Sequence, residues 1–413
     1  MTQAILIKNA HLLDPCQPEL QDRHDILIEG GTIREISTQP ISSASALVID
    51  AQGKTAMPGL IDLHVHIVAV EVNLGRQISM PNVLVTLRSL PMLQGMLRRG
   101  FTTVRDAGGA GHAFKQAVDT GLVQGPRLFV SGRALSQTGG HGDMRLRSDH
   151  LNNGLCPTCV RVGSLARVAD WVDEVRRAAR EELQMGADQI KIMASGGVAS
   201  PTDPVGALGY SEAEIQAIVA EASARQTYVL AHAYTAQAIS RAVRCGVRTI
   251  EHGNLVDAAA AQVMAEHRAY AVPTLVTYDA LVEEGPSLGL PADSVAKVAD
   301  MRAAGLRSLE ILKAAGVKMG FGSDLLGESQ RLQSDEFRLR TQVLTPAEVI
   351  ASATLIGAEV LGMQDRLGRL ITGAIADLLL VDGNPLRDIR CLLGQGEHIP
   401  LVMKAGKIEF NSL

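Results

Sequence analysis

Lys191 sits inside an apolar run, Gln189-Ile190-Lys191-Ile192-Met193. Ahead of it in the chain stands His64-Val65-His66, and behind it His232, His252 and Asp324, each at the end of its own short apolar run. Imidazole and carboxylate groups are ligands for Zn²⁺ and similar divalent ions, and a lysine that takes up CO₂ becomes an anionic carbamate able to bridge two of them. A lysine within an apolar strand is costly to bury as a cation unless it is paired or chemically altered. Any one of these histidines taken singly reads as a hydrogen-bonded core residue. Together, the six ligand-type residues His64, His66, Lys191, His232, His252 and Asp324 point to a metal site and to metal-dependent hydrolysis.

The elements that must position them can be read from the texture of the chain. Between residues 57 and 366, short apolar runs alternate with helix-length amphipathic segments: Gly59 to His66, Thr102 to Asp106, Arg127 to Ser131, Ala187 to Ala194, Thr227 to Ala233, Arg248 to His252, Tyr270 to Val276 and Val317 to Gly322. Eight such units predict an α/β fold, a (β/α)₈ TIM-type barrel, in which functional groups gather at the C-terminal ends of the strands. Ser211-Glu212-Ala213-Glu214 and Thr345-Pro346-Ala347-Glu348 read as capping boxes that start two of the helices. His64 and His66 lie two apart on the first strand, so the strand period aims both the same way. The first 56 residues and residues 367–413 carry strand and turn patterns instead, which predicts one small β-sandwich domain built from both termini.

The bulk properties exclude other classes. At 413 residues the chain holds a large domain and a small one, with 46% apolar residues and a net charge of −5. That charge offers no long-range attraction to phosphate backbones, and nucleic acid is not an expected partner. No run approaches the ~20 apolar residues that span a bilayer, and the N-terminus lacks the pattern of a signal peptide, so a cytoplasmic protein without a membrane partner is expected. Five scattered cysteines make a poor disulfide framework, and Cys156-Pro157-Thr158-Cys159 reads as a pair of loop thiols. The sequence leaves a homo-oligomer open.

Met57-Pro58-Gly59-Leu60-Ile61-Asp62-Leu63-His64-Val65-His66, with the later Lys, two His and Asp, resembles the amidohydrolase superfamily in its binuclear branch with a carboxylated lysine. The segments Gly139 to Asp143, Lys191 to Gly197, Ala231 to Tyr234 and Glu251 to Gly253 resemble its imidazolonepropionase-like group, which contains Xaa-Pro dipeptidases and N-acyl amino acid hydrolases. The resemblance implies two divalent ions, Zn²⁺ foremost: His64, His66 and Asp324 on the first, His232 and His252 on the second, and carbamylated Lys191 bridging. Two cations sharing a water lower its pKa toward neutrality, and Asp324 would carry its proton to the leaving amine. Tyr234, two residues beyond His232 and on the same face, and His141, in a glycine-rich loop, are the expected catalytic donors to the tetrahedral intermediate. Asp106 reads as a structural residue. Arg133, Arg145 and Arg147 lie in a capping loop where a substrate carboxylate needs a cation. The expected reaction is cleavage of an amide bond in a small substrate, an Xaa-Pro dipeptide or N-acyl amino acid. A phosphotriester, carbamate or lactone hydrolase on the same metals, a mononuclear deaminase and a non-catalytic scaffold are the competing readings.

Overall fold

The computed structural model describes residues 3–145, 161–200, 203–290 and 292–413. Its N-terminal strands are β1 (Ile5–Leu12), β2 (Gln21–Glu29), β3 (Thr32–Ser37), β4 (Leu47–Asp50) and β5 (Thr55–Pro58). The parallel strands follow: β6 (Leu60–Val65), β7 (Phe101–Asp106), β8 (Arg127–Val130), β9 (Ala134–Ser136), β10 (Ala166–Val168), β11 (Ile190–Met193), β12 (Val229–Thr235), β13 (Thr249–Leu255) and β14 (Tyr270–Val272). β15 (Leu378–Val381), β16 (Leu401–Lys404) and β17 (Lys407–Asn411) complete the set.

Among the described residues, both termini build one eight-stranded sheet, ordered β17-β16-β15-β5-β1-β2-β3 with β4 on the flank of β1. β5 lies between β1 and β15, so the N-terminal and C-terminal segments are joined by backbone pairing. β15 is apolar throughout because both its faces are buried: Leu378 and Leu380 pack with Ile5, Ile7, Ile26 and Ile28, while Leu379 and Val381 enter the main core.

The parallel strands form two ladders, β6-β7-β8 and β10-β9-β11-β12-β13-β14. Backbone hydrogen bonds span both gaps. Asp188 N–H donates to Val130 O at 2.7 Å, and on the other side Leu63 N–H donates to Phe321 O at 2.8 Å while Ala271 N–H donates to Lys318 O at 3.0 Å.

Two of the predicted runs are realised differently, and one gains an extra strand. The third is realised as β8, after which the chain breaks at Gly132, whose φ of +63° suits glycine and whose N–H turns to Ala110 O, and resumes as β9, a strand not read from the sequence. The seventh stops at Val272, because Pro273 has no N–H to donate and helix Leu275–Glu283 follows. Val317 to Gly322 makes an isolated bridge, Ala271 to Met319, since Phe321 N–H is taken by Ser352 O rather than by a strand neighbour. Both capping boxes are present, on helices Glu212–Ala224 and Pro346–Ser352. Among the described residues, no helix is long and apolar enough to cross a membrane.

Candidate metal centre and cleft

The strand ends converge on one cleft of about 980 Å³, open to solvent, whose lining includes His64, His66, Lys191, His232, His252 and Asp324. His141 and Tyr234 line it as well, so the six expected ligands and the two expected donors reach the same space. Within it, ligand atoms of His64, His66 and Asp324 lie within 4.8 Å of one another. Asp324 Oδ1 stands 3.4 Å from His64 Nε2 and 3.1 Å from His66 Nε2. Two imidazoles and a carboxylate with converging lone pairs fit a divalent cation of the zinc type, and the donor chemistry passes that test.

The ring nitrogen each histidine offers is decided by what holds its other nitrogen. His64 Nδ1 lies 2.7 Å from Glu251 Oε2, and an acceptor-only carboxylate assigns the hydrogen to Nδ1. His66 Nδ1 donates to Gly108 O at 2.9 Å. Both therefore present Nε2. His252 Nδ1 is 2.8 Å from Thr274 Oγ1, which again leaves Nε2, whereas His232 Nε2 donates to Gly196 O at 3.0 Å and leaves Nδ1. The rings are close: His64 to His252 is 4.9 Å and His232 to His252 is 4.7 Å between centroids.

Electrostatics favour ligand-ready forms at His232, His252 and Asp324, whereas at His66 burial lowers the pKa but the hydrogen bond and charge of Asp324 override it and raise it. Burial, and after it the imidazole of His141, pushes His232 well below its ordinary pKa, and burial does the same to His252. Both are neutral imidazoles with a lone pair to give. For Asp324 burial opposes ionisation, yet His64 and His66 override it and hold the carboxyl well below its usual range. Burial lowers Lys191 to about 8, with Glu251 and Asp324 pulling the other way. His252 at φ +69° and Asp324 at φ +52° are non-glycine residues in the left-handed region, which costs each of order 1–3 kcal/mol and persists only where the surroundings over-determine it. For Asp324 the fixing bond is its N–H to His64 O at 2.8 Å.

His141 stacks on His232 with centroids 4.3 Å apart, and its Nδ1 lies 2.7 Å from Ser200 Oγ. Gly197 permits this approach, since a Cβ there would lie 2.1 Å from His141 Cε1. Asp106 accepts backbone N–H groups from Ile67, Gly108 and Ala110, which is a structural role. Of the arginines, Arg145 lines the cleft and pairs with Asp143 at 2.6 Å, while Arg133 lines a separate crevice and pairs with Glu182. Arg147, Cys156 and Cys159 lie outside the described residues.

Sequence reasoning missed the residues that hold the ligands. Glu251 is fully buried and is gripped by Arg105, whose NH2 lies 2.8 Å and 2.9 Å from the two carboxylate oxygens. Arg105 also donates to Leu63 O and Thr249 Oγ1. Asp62 accepts from His64 N–H, Ser323 Oγ–H and Gln333 Nε2, which ties the first strand to the residue beside Asp324. Glu251 preceding His252 and Asp62 preceding Leu63-His64 were legible only as neighbours of ligands. Their partners lie across the sheet.

Comparison with known proteins agrees with this geometry. The profile of the amidohydrolase family matches residues 55–408. Ochratoxinase of Aspergillus niger is 32% identical over 326 residues, which is 76% of this chain and 66% of that protein, so the match spans just under two thirds of the relative's length. A solved amidohydrolase is 70% identical with a TM-score of 0.98, covering 99% of this chain and 100% of its own. A prolidase solved with N-methylphosphonate-L-proline is 55% identical with a TM-score of 0.97, over 99% of this chain and 100% of its own. With a fold of the TIM-barrel type, a His-His-Asp group at the strand ends and these likenesses along its length, the chain belongs to the amidohydrolase family and is a hydrolase of its prolidase-like subgroup.

Proposed function

We propose that this protein cleaves the amide bond of a small substrate, an Xaa-Pro dipeptide or an N-acyl amino acid, at a centre of two divalent ions. The observation that carries the reading is the convergence of His64, His66, Lys191, His232, His252 and Asp324 on one cleft, with neutral imidazoles at His232 and His252 and a carboxylate shared by His64 and His66. The likeness to a prolidase crystallised with a proline phosphonate, and to ochratoxinase, supports the amide. In this reading the two ladders close as an eight-unit barrel over residues 57–366, and residues 1–56 with 367–413 form the composite sandwich.

His64, His66 and Asp324 would hold one ion and His232 and His252 the other, with Lys191 bridging as its carbamate. Zinc or a similar ion, when bound, lowers the pKa of water and withdraws electrons from a carbonyl oxygen. The rest falls to the chain's own groups. Asp324 takes the proton of the attacking water on a carboxylate oxygen and returns it to the leaving amine nitrogen. Tyr234 donates its hydroxyl hydrogen to a substrate oxygen. With Ser200 donating to His141 Nδ1, the ring hydrogen sits on Nε2 and faces the same oxygen. Leu74, Ile78, Leu165, Leu281 and Leu326 give the cleft an apolar wall that excludes water and accepts the substrate's side chain.

The test is metal content by elemental analysis on protein expressed with Zn²⁺ and bicarbonate, alongside hydrolysis of Xaa-Pro dipeptides, N-acyl amino acids, phosphotriesters and lactones. About two metals per chain with dipeptide or acyl-amino acid turnover supports the reading. About one metal, unaffected by Lys191→Ala, overturns the bridged pair, and turnover confined to phosphotriesters or lactones overturns the substrate class.

A further inference from the structure

Tyr278 is buried at the start of the helix that follows β14, at 1% exposure, and its hydroxyl lies 3.0 Å from the hydroxyl of Tyr234. Its single hydrogen has a second acceptor, Asn254 Oδ1, at 3.3 Å. Asn254 is held in that orientation because its Nδ2 donates to Met301 O at 2.9 Å. Tyr234 and Asn254 are 2% and 3% exposed, so bulk water does not replace any of these partners.

Hydrogen counting gives this chain a direction. Tyr278 has one hydrogen to place, on Tyr234 or on Asn254. If Asn254 takes it, the Tyr234 hydrogen turns inward to Tyr278 and is lost to the cleft. If Tyr234 takes it, the Tyr234 hydrogen is released toward the substrate. Each hydroxyl that accepts one hydrogen bond becomes a stronger donor of the next.

We propose that Tyr278 is a positioning residue that sets the direction of the Tyr234 hydroxyl through the relay Tyr278–Tyr234, its hydrogen donated to Tyr234 so that the Tyr234 hydrogen faces the cleft, with Asn254 as the competing acceptor. This rests on Tyr234 donating to substrate, as in the function proposed above. Tyr278 touches no reacting atom. It decides whether Tyr234 is an outward donor or an inward one.

The test is a double-mutant cycle of Tyr278→Phe and Tyr234→Phe on the metal-loaded enzyme, read as kcat and KM. It is accompanied by difference Raman spectra of the tyrosine ring doublet, whose intensity ratio separates donating from accepting hydroxyls, a tyrosine hydroxyl having both capacities. Tyr278→Phe should lower kcat about 5-fold with KM within about 2-fold, and that loss should vanish in the Tyr234→Phe background, as for groups acting in one unit. The Tyr234 signal, isolated by subtracting Tyr234→Phe, should lose its accepting character in Tyr278→Phe. An equal loss in both backgrounds, or an unchanged Tyr234 signal, overturns the relay while leaving the proposed function standing. A Tyr234→Phe enzyme as active as the parent overturns both the role of Tyr234 and the relay built on it. Should the parent hydrolyse no amide substrate, the proposed function fails, and the Raman spectra still decide the relay's direction.

Discussion

His64 and Asp324 are anchored by charge and by strand backbone, and His66, held at Nδ1 by the Gly108 carbonyl, joins them through Asp324, whereas His232, His252 and His141 are anchored by neutral oxygens, several of them on loops. On the first side Glu251 grips His64, Arg105 grips Glu251, and Asp62 clamps the backbone of His64 to Ser323. On the second side the partners are a glycine carbonyl, a threonine hydroxyl and a serine hydroxyl. A buried ion pair with all its hydrogen bonds made fixes geometry tightly and is costly to break from one end. Neutral hydroxyls bind less strongly and reorient easily. The difference separates a rigid half that secures metal from an adjustable half that meets substrate.

The comparison breaks most visibly at Asp324, which both histidines of the rigid half face. Asp324→Asn should lower kcat/KM by about 10³-fold or more, because in the proposed function the carboxylate serves as ligand and proton carrier at once. Thermal unfolding should stay within a few degrees of the parent, and a variant that keeps its turnover would remove Asp324 from the chemistry. Lys191→Ala comes next and joins the halves: metal content should fall from about two to about one per chain and turnover by about 10²-fold, measured by elemental analysis and a dipeptide assay. Dialysis against a chelator should abolish turnover of the parent in the same assay, with Zn²⁺ restoring it.

Glu251→Gln sharpens the contrast itself. A glutamine keeps the shape but removes the charge that faces both His64 and Arg105, and loss of such a partner costs about 10–100-fold in metal affinity. It also leaves the Arg105 guanidinium buried without its anion, which destabilises by about 3–5 kcal/mol. Chelator competition and thermal denaturation together check this. Weakened metal binding with an unchanged melting temperature would mean that Arg105 is compensated elsewhere.

How much of this was readable from the chain depends on the range of the signal. His64 and His66 were legible because a two-residue period on one strand is local, and Lys191 because a cation in Ile190-Lys191-Ile192 contradicts its surroundings. The capping boxes at Ser211 and Thr345 were legible for the same reason: all the partners lie within four residues. The break at Gly132 was not, since Ser131-Gly132-Arg133 turns only because Ala110 O is there to receive an N–H. Nor was the shortened eighth strand, whose hydrogen bonds are shared among Ala271, Ser352 and Leu63. Glu251, Tyr278 and Ser200 earned no notice because their partners, His64, Tyr234 and His141, come together only when the strand ends converge.

The smallest effect is expected on the adjustable half, at Ser200. Its hydroxyl is 2.7 Å from His141 Nδ1, and the loop that carries it is pinned from outside by Lys297 Nζ, which donates to the carbonyls of Ser200 at 3.2 Å and Asp203 at 2.9 Å. Ser200→Ala removes the bond that, in the proposed function, assigns the His141 hydrogen to Nε2, and leaves Asp203 Oδ2, 3.7 Å from Nδ1, the stack on His232 and the tight seat against Gly197. Burial already pushes His141 down to about 4, so the ring stays neutral across the working range of pH and only its tautomer is released. Losing one such orienting bond costs about 1 kcal/mol, or about 5-fold in kcat, with metal content and KM nearly unchanged. Steady-state kinetics paired with elemental analysis would check it. If Ser200→Ala instead strips metal from the protein, the neutral anchors secure the ions as firmly as the charged ones do, and the division of the site into a rigid and an adjustable half fails.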